Sequence, residues 1–173
     1  MKTKQLIQKM LLLLLIGCNV GCDQVSKSIV RKELGDQEQI RLFANHLTLL
    51  KVENTGAFLS FGETMPEEVK FVFLTFLPLL LLAYGIYVLL RRPQLQRAYA
   101  IGLCFLIGGG LGNLYDRLLH GSVTDFLHLN MGFFETGIFN LADVSVVIGT
   151  LLLFIQIYSK EQPPWYSRVT TLK

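Results

Sequence analysis

Four stretches of this chain are almost wholly apolar, and the polar positions between them read as the loops of four membrane helices. The first runs from about Gln8 to Val30 (8–30), with its core at Met10 to Gly21. The second, Val69 to Leu90 (69–90), carries no charge after Lys70. The third, Ala98 to Leu119 (98–119), is charged only at its far end, and the fourth, about Gly137 to Tyr158 (137–158), holds one charge, Asp143. At ~20 residues each is long enough to cross a ~30 Å hydrocarbon core as a helix. Pro78 inside the second predicts a kink, tolerable where neighbouring groups satisfy the freed carbonyl. The expected fold is an all-α membrane protein of four transmembrane helices, one integral domain over 1–173.

The 31–68 connection is long. Within it Leu47 to Glu53 comes to alternate apolar and charged residues, as a half-exposed strand does, and Asn54-Thr55-Gly56 reads as a turn. A small extracytoplasmic β-rich region between the first two helices, resting on the membrane surface, is therefore expected.

Composition agrees. The chain is 51% hydrophobic and 17% charged, against about 25% charged in soluble domains. Its mean hydropathy is +0.46. A net charge of +3 leaves no electrostatic footprint for nucleic acid. The basic residues set an orientation. Lys2, Lys4 and Lys9 precede the first span, Arg91, Arg92 and Arg97 lie between the second and third, and Lys160, Arg168 and Lys173 follow the fourth. The 31–68 loop holds more acidic than basic residues, and 120–136 has no Lys or Arg. The positive-inside rule places both termini in the cytoplasm. Tyr84, Tyr87, Tyr99 and Tyr158 then fall near cytoplasmic ends, as an aromatic belt requires.

Charges at the edges of the spans are the informative residues, because each costs a few kcal/mol at mid-bilayer. They are Asp23, Lys27, Asp116, Arg117 and Asp143, with Asp125 just beyond the third helix. The topology collects all six at the outer face. Asp23 and Lys27 are four apart, in reach of an ion pair. Asn113, Asp116 and Arg117 form one polar stripe, with a structural network expected of Asp116 and Arg117, and Asn140 and Asp143 form another. The Gly108-Gly109-Gly110 and Gly112 run allows close approach of a helix or a substrate, and lacks the Lys and Ser/Thr of a phosphate loop.

Asp125 and Asp143 have no adjacent base in sequence to neutralise them. Two carboxylates in one dry site hold a single proton between them, which is what activating a water and protonating a leaving amine needs. The residues alone leave this open against an ion or proton pathway. Other chemistries are absent: no Gly-x-Ser-x-Gly elbow, no His-Glu-x-x-His, and His46, His120 and His128 are scattered. Cys18, Cys22 and Cys104 lack zinc or disulfide spacing and read as small buried hydrophobes.

Five stretches resemble a known family. Asp23-Gln24-Val25-Ser26-Lys27, Asn54-Thr55-Gly56-Ala57-Phe58, Gly112-Asn113-Leu114-Tyr115-Asp116-Arg117, Gly121-Ser122-Val123-Thr124-Asp125-Phe126 and Phe139-Asn140-Leu141-Ala142-Asp143 are similar, in order, to bacterial lipoprotein signal peptidase, signal peptidase II. The resemblance implies an intramembrane aspartic endopeptidase of the bacterial inner membrane with Asp125 and Asp143 as its dyad. It implies a substrate prolipoprotein carrying diacylglycerol on its lipobox cysteine, cut just before that cysteine. Asp23, Lys27, Asn54, Gly56, Asn113, Arg117 and Asn140 match positions that support the site or contact substrate, and Asp116 matches a structural pairing role. The other implied partners are membrane lipids and globomycin-type inhibitors, with no metal or cofactor. Two departures stand out: Phe58 where a second Ala is usual, and Thr136-Gly137-Ile138 where a bulky aromatic often stands.

Leu15-Ile16-Gly17-Cys18 itself looks like a lipobox, and Asn19-Val20-Gly21-Cys22 is a poorer copy. A membrane-anchored lipoprotein is thus a further reading. Cleavage before Cys18 would leave a first helix of ~20 Å, too short to span. The expectation is that residues 1–17 are retained and Cys18 carries no lipid.

Overall fold

With no water in a bilayer to bond the backbone, long Leu- and Phe-rich runs can close their hydrogen bonds only as helices, and four form among the described residues. They are α1 (Lys2–Glu33), α2 (Glu67–Arg91), α3 (Arg97–His120) and α4 (Leu141–Tyr158). The computed structural model describes residues 2–56, 64–92 and 95–158. Ala57 and Phe58, and the basic Lys160, Arg168 and Lys173, lie outside the described residues.

Two helix boundaries differ from expectation for a physical reason. α1 continues to Glu33 because Asp23, Lys27 and Arg31 find partners inside the protein and need not end it. α4 begins at Leu141, not Gly137, because Phe139 bridges to Leu127 in extended form. Within α2, residues Phe71–Phe76 widen to a π-helix, with the Leu77 N–H reaching Val72 O, just ahead of Pro78. The wide turn is where the helix accommodates the missing proline donor.

α3 is the hub. Its Ala100, Leu103, Cys104, Ile107 and Leu114 are buried, and it packs against α4, α1 and α2. Its glycines face all three neighbours: a side chain would meet Asn19 at Gly108, Ala142 and Val146 at Gly109, and Leu82 at Gly110. α1 is buried along one stripe through Ile16, Asp23 and Lys27. Cys104 is buried as expected, but Cys18 and Cys22 lie on the exposed side of α1, off that stripe.

Gly121, in the left-handed conformation (φ 73°), ends α3 and turns the chain into a strand. That strand adds to the expected β region between the first two helices, which supplies the other two strands. The sheet has three antiparallel strands in order β1 (Gln39–Leu42), β2 (Leu47–Asn54), β3 (Val123–Leu129), and the third comes from the loop between α3 and α4. β2 and β3 pair as Thr48 with His128 and Val52 with Asp125, with a register shift between Leu49 and Val52. The sheet sits at one end of the helices, and every charge singled out within the spans gathers at that end.

Candidate active site

Two polar clusters meet there. The first joins α1 to α3. Lys27, fully buried, contacts Asp23 at 2.8 Å, Asp116 at 2.9 Å and the Asn113 side-chain oxygen at 2.9 Å, which uses all three ammonium protons. Arg31 adds a contact of 3.0 Å to Asp116, and the Gln24 amide reaches Asp23 and Asp116 at 3.1 Å each. Asp23 also accepts the Ala142 N–H at 2.9 Å, at the start of α4. Gly112 makes this possible, since a Cβ there would lie 2.6 Å from the Asp23 carboxylate. The Asp23–Lys27 pair is therefore as expected. Asp116 and Arg117 take different partners: Asp116 turns to Lys27 and Arg31, whereas Arg117 donates to Gly56 O at 2.7 Å and so holds the turn after β2. One helix face cannot aim neighbours at a common partner.

The second cluster contains Asp125 and Asp143. Asp125 lies on β3, 4% exposed, and its two oxygens accept from the Asn54 amide at 2.9 Å and the Asn140 amide at 2.6 Å. Asp143 accepts from the Asn113 amide at 2.8 Å and from the Asn140 backbone N–H at 3.1 Å. Asn140 is not on a helical stripe with Asp143, as the spacing suggested. It caps α4: its side-chain oxygen accepts the Asp143 N–H at 3.0 Å while Asp143 accepts the Asn140 N–H, a reciprocal capping box. Asn140 also donates to Asn113 at 3.1 Å, so one buried amide joins both carboxylates. The Asn-x-x-Asp pattern ahead of an apolar run was the sequence signal for this cap.

Among the described residues, no lysine or arginine bonds either carboxylate of this cluster. Burial pushes the Asp125 carboxyl up to about 6, and the nearby Asp143 charge adds to that, against the hydrogen bonds from Asn54 and Asn140. Both carboxylates line one cavity of about 450 Å³. Asn54, Asn113 and Arg117 supply its polar wall, and Leu74, Pro78, Val146 and Val147 its apolar one. The π-helical part of α2 and the Pro78 turn after it thus line the same cavity with apolar surface. A mostly apolar pocket with one readily protonated carboxyl and a second carboxylate can move a proton to and from a reacting group.

Sequence reasoning missed a third set of contacts. Thr124, fully buried beside Asp125, accepts from Arg31 Nε at 2.7 Å and donates to Glu53 at 2.7 Å, and Ser122 donates to Glu53 at 2.6 Å. These residues tie β3 to α1 and β2. Only the alternation of β3 could have found them, since Thr124 must face away when Asp125 faces the cavity.

Comparison with known proteins discriminates between the chemistries this geometry allows. The family described as Signal peptidase (SPase) II matches residues 14–159. The lipoprotein signal peptidase of Clostridium novyi (strain NT) is 34% identical over 145 residues, covering 82% of this chain and 93% of the relative. That of Burkholderia vietnamiensis is 37% identical over 135 residues, covering 76% and 77%. A bacterial membrane enzyme solved by the in meso method at 1.9 Å resolution superposes with a TM-score of 0.76 at 27% identity, over 86% of this chain and 93% of that one. Of the two chemistries that buried carboxylates leave open, peptide hydrolysis is the one this multi-pass membrane protein carries: the chain belongs to the signal peptidase II family, the lipoprotein signal peptidases.

Proposed function

We propose that Asp125 and Asp143 are the catalytic dyad and that they cut diacylglyceryl-modified prolipoproteins just before the lipid-bearing lipobox cysteine. The observation that carries this reading is the shared cavity in which all four carboxylate oxygens receive neutral or backbone N–H donors and no bonded cation. Such a pair keeps one proton, and burial biases it toward Asp125. Asp143 takes a proton from water as the water oxygen bonds to the scissile carbonyl carbon. Asp125 gives its proton to the carbonyl oxygen. As that intermediate collapses, Asp125 takes back a hydroxyl proton, the C–N bond breaks to leave a carboxyl group, and the proton held by Asp143 leaves with the cysteine amine. Asn54, Asn113 and Asn140 hold the carboxylates in place, and Arg117 holds the Gly56 turn at the cavity rim.

Asp23, Lys27 and Asp116 fix where α1, α3 and α4 meet, and thereby the depth of the dyad. The apolar wall suits acyl chains and a signal-peptide helix. The basic residues of 91–97 and of the N-terminus support cytoplasmic termini in the bacterial inner membrane, with the site toward the outer face. Purified protein should release the signal fragment from a diacylglyceryl-modified lipobox peptide, and globomycin should block the release. Cleavage that ignores the diacylglyceryl group would overturn the substrate assignment.

A further inference from the structure

Asp125 sits on a short piece of ladder. Between the register shift after Leu49 and the end of β2, three pairs join β2 to β3: Val52–Asp125, Glu53–Thr124 and Asn54–Val123. Asn54 and Asp125, which hydrogen-bond at 2.9 Å, each directly follow in their own strand a member of the central pair, Glu53–Thr124. Any slip of that pair displaces the Asn54 amide from the Asp125 carboxylate. A ladder bounded by an irregularity on one side and a strand end on the other resists such a slip weakly.

The opposite face of the sheet supplies what the ladder lacks. Strand alternation turns Thr124 away from Asp125 and its cavity. There the Thr124 hydroxyl accepts from Arg31 Nε at 2.7 Å and donates to Glu53 at 2.7 Å, and Ser122 donates to the other Glu53 oxygen at 2.6 Å. A hydroxyl set between a guanidinium and a carboxylate makes two charge-assisted bonds and has one orientation. Glu53 thus fastens β2 to β3 at the central pair. Arg31 fastens β3 to α1 and, through Asp116 at 3.0 Å, to α3. Thr124 is fully buried where these contacts meet. On its other edge β3 bonds to Phe139, whose successor Asn140 reaches Asp125 at 2.6 Å. That edge ties β3 to the start of α4 and leaves its register against β2 to Thr124.

Resting on the dyad proposed above, we infer that Thr124, held between Arg31 and Glu53, is a positioning residue for Asp125. It locks the register that sets the Asn54 amide on the carboxylate, and it ties that register to α1. The helix clamp built on Lys27 and Asp116 reaches the strand of Asp125 through this hydroxyl.

The test compares Thr124→Val, which keeps the shape and removes the hydroxyl, with Thr124→Ser, which keeps the hydroxyl. Purified protein and a diacylglyceryl-modified lipobox peptide are used. Thr124→Val should lower kcat about ten- to a hundredfold with KM little changed, and Thr124→Ser should retain most of the rate. The alkaline limb of the kcat profile should move upward in Thr124→Val, because the Asn54 bond that holds the Asp125 carboxyl down is loosened. Asp143, Lys27 and Arg117, the charged groups that act on Asp125 from α4, α1 and α3, are unaltered. Glu53→Asp keeps the charge but draws the carboxylate back by one methylene. It should give the same upward shift in smaller measure, and it carries the test if Thr124→Val does not fold. A loss of stability alone would lower the melting temperature and leave the limb in place. An unmoved limb in these variants, with Asp125→Asn inactive, would overturn the positioning role and leave the dyad standing. Cleavage by Asp125→Asn at the wild-type rate would overturn the dyad and the positioning role with it.

Discussion

The two charged clusters at the sheet end of the helices hold two aspartates each, lie a few ångströms apart through Asn113, and are built for opposite ends. Asp23 and Asp116 share the Lys27 ammonium, with Arg31 alongside, so each buried carboxylate has a cation at bonding distance. Asp125 and Asp143 have amides instead. An amide satisfies a carboxylate's lone pairs without cancelling its charge, so burial still favours the protonated form of Asp125. Bonded cations make the first cluster a clamp, whereas in the second Arg117 lines the cavity without bonding either carboxylate, which suits the proposed proton-carrying role.

The largest effect should come from the proton itself. Asp125→Asn and Asp143→Asn keep the side chains' size but cannot exchange a proton, so each should lower cleavage by roughly 10²–10⁴-fold. Thermal unfolding in detergent should show both variants folded. Near-normal turnover by either would dissolve the distinction between the clusters.

Breaking the clamp should act on stability. Lys27→Met leaves Asp23 and Asp116 buried without their shared cation, a loss of about 3–5 kcal/mol. The melting temperature should fall sharply, and adding Asp23→Asn to Lys27→Met should recover part of it. An unchanged melting temperature in Lys27→Met would mean that the clamp does not hold the helices.

The smallest effect sharpens the contrast from the amide side. The Asn54 hydrogen bond holds the Asp125 carboxyl down, against burial. Asn54→Leu should therefore raise it above about 6, so that the pair keeps its proton to higher pH. The alkaline limb of the rate profile should move upward, with a rate loss of up to about 10²-fold from the loosened carboxylate. A limb moving downward would refute the role of that bond. The limbs belong to the pair, so the shift is read on the whole profile.

Much of this protein is legible in the chain. Four apolar runs dictate four helices, because a bilayer leaves the backbone no other closed set of hydrogen bonds. The rarity of charge within those runs singles out Asp23, Lys27, Asp116, Arg117 and Asp143, since each must be compensated to be there. Helical spacing also suffices for the Asp23–Lys27 pair, a local contact four residues apart. What spacing could not settle was partnership across the fold. Asp116 chooses Lys27 and Arg31 over its neighbour Arg117, and Asn140 serves as a cap and a link between two aspartates 18 residues apart in sequence. The third strand was hidden for the same reason: Val123 to Leu129 acquires its place only by pairing with β2, some 70 residues earlier. Local pattern fixes what each segment must bury, whereas which groups meet is decided by the packing of α1, α3 and α4, where Gly109 and Gly112 let Asp23 reach the start of α4.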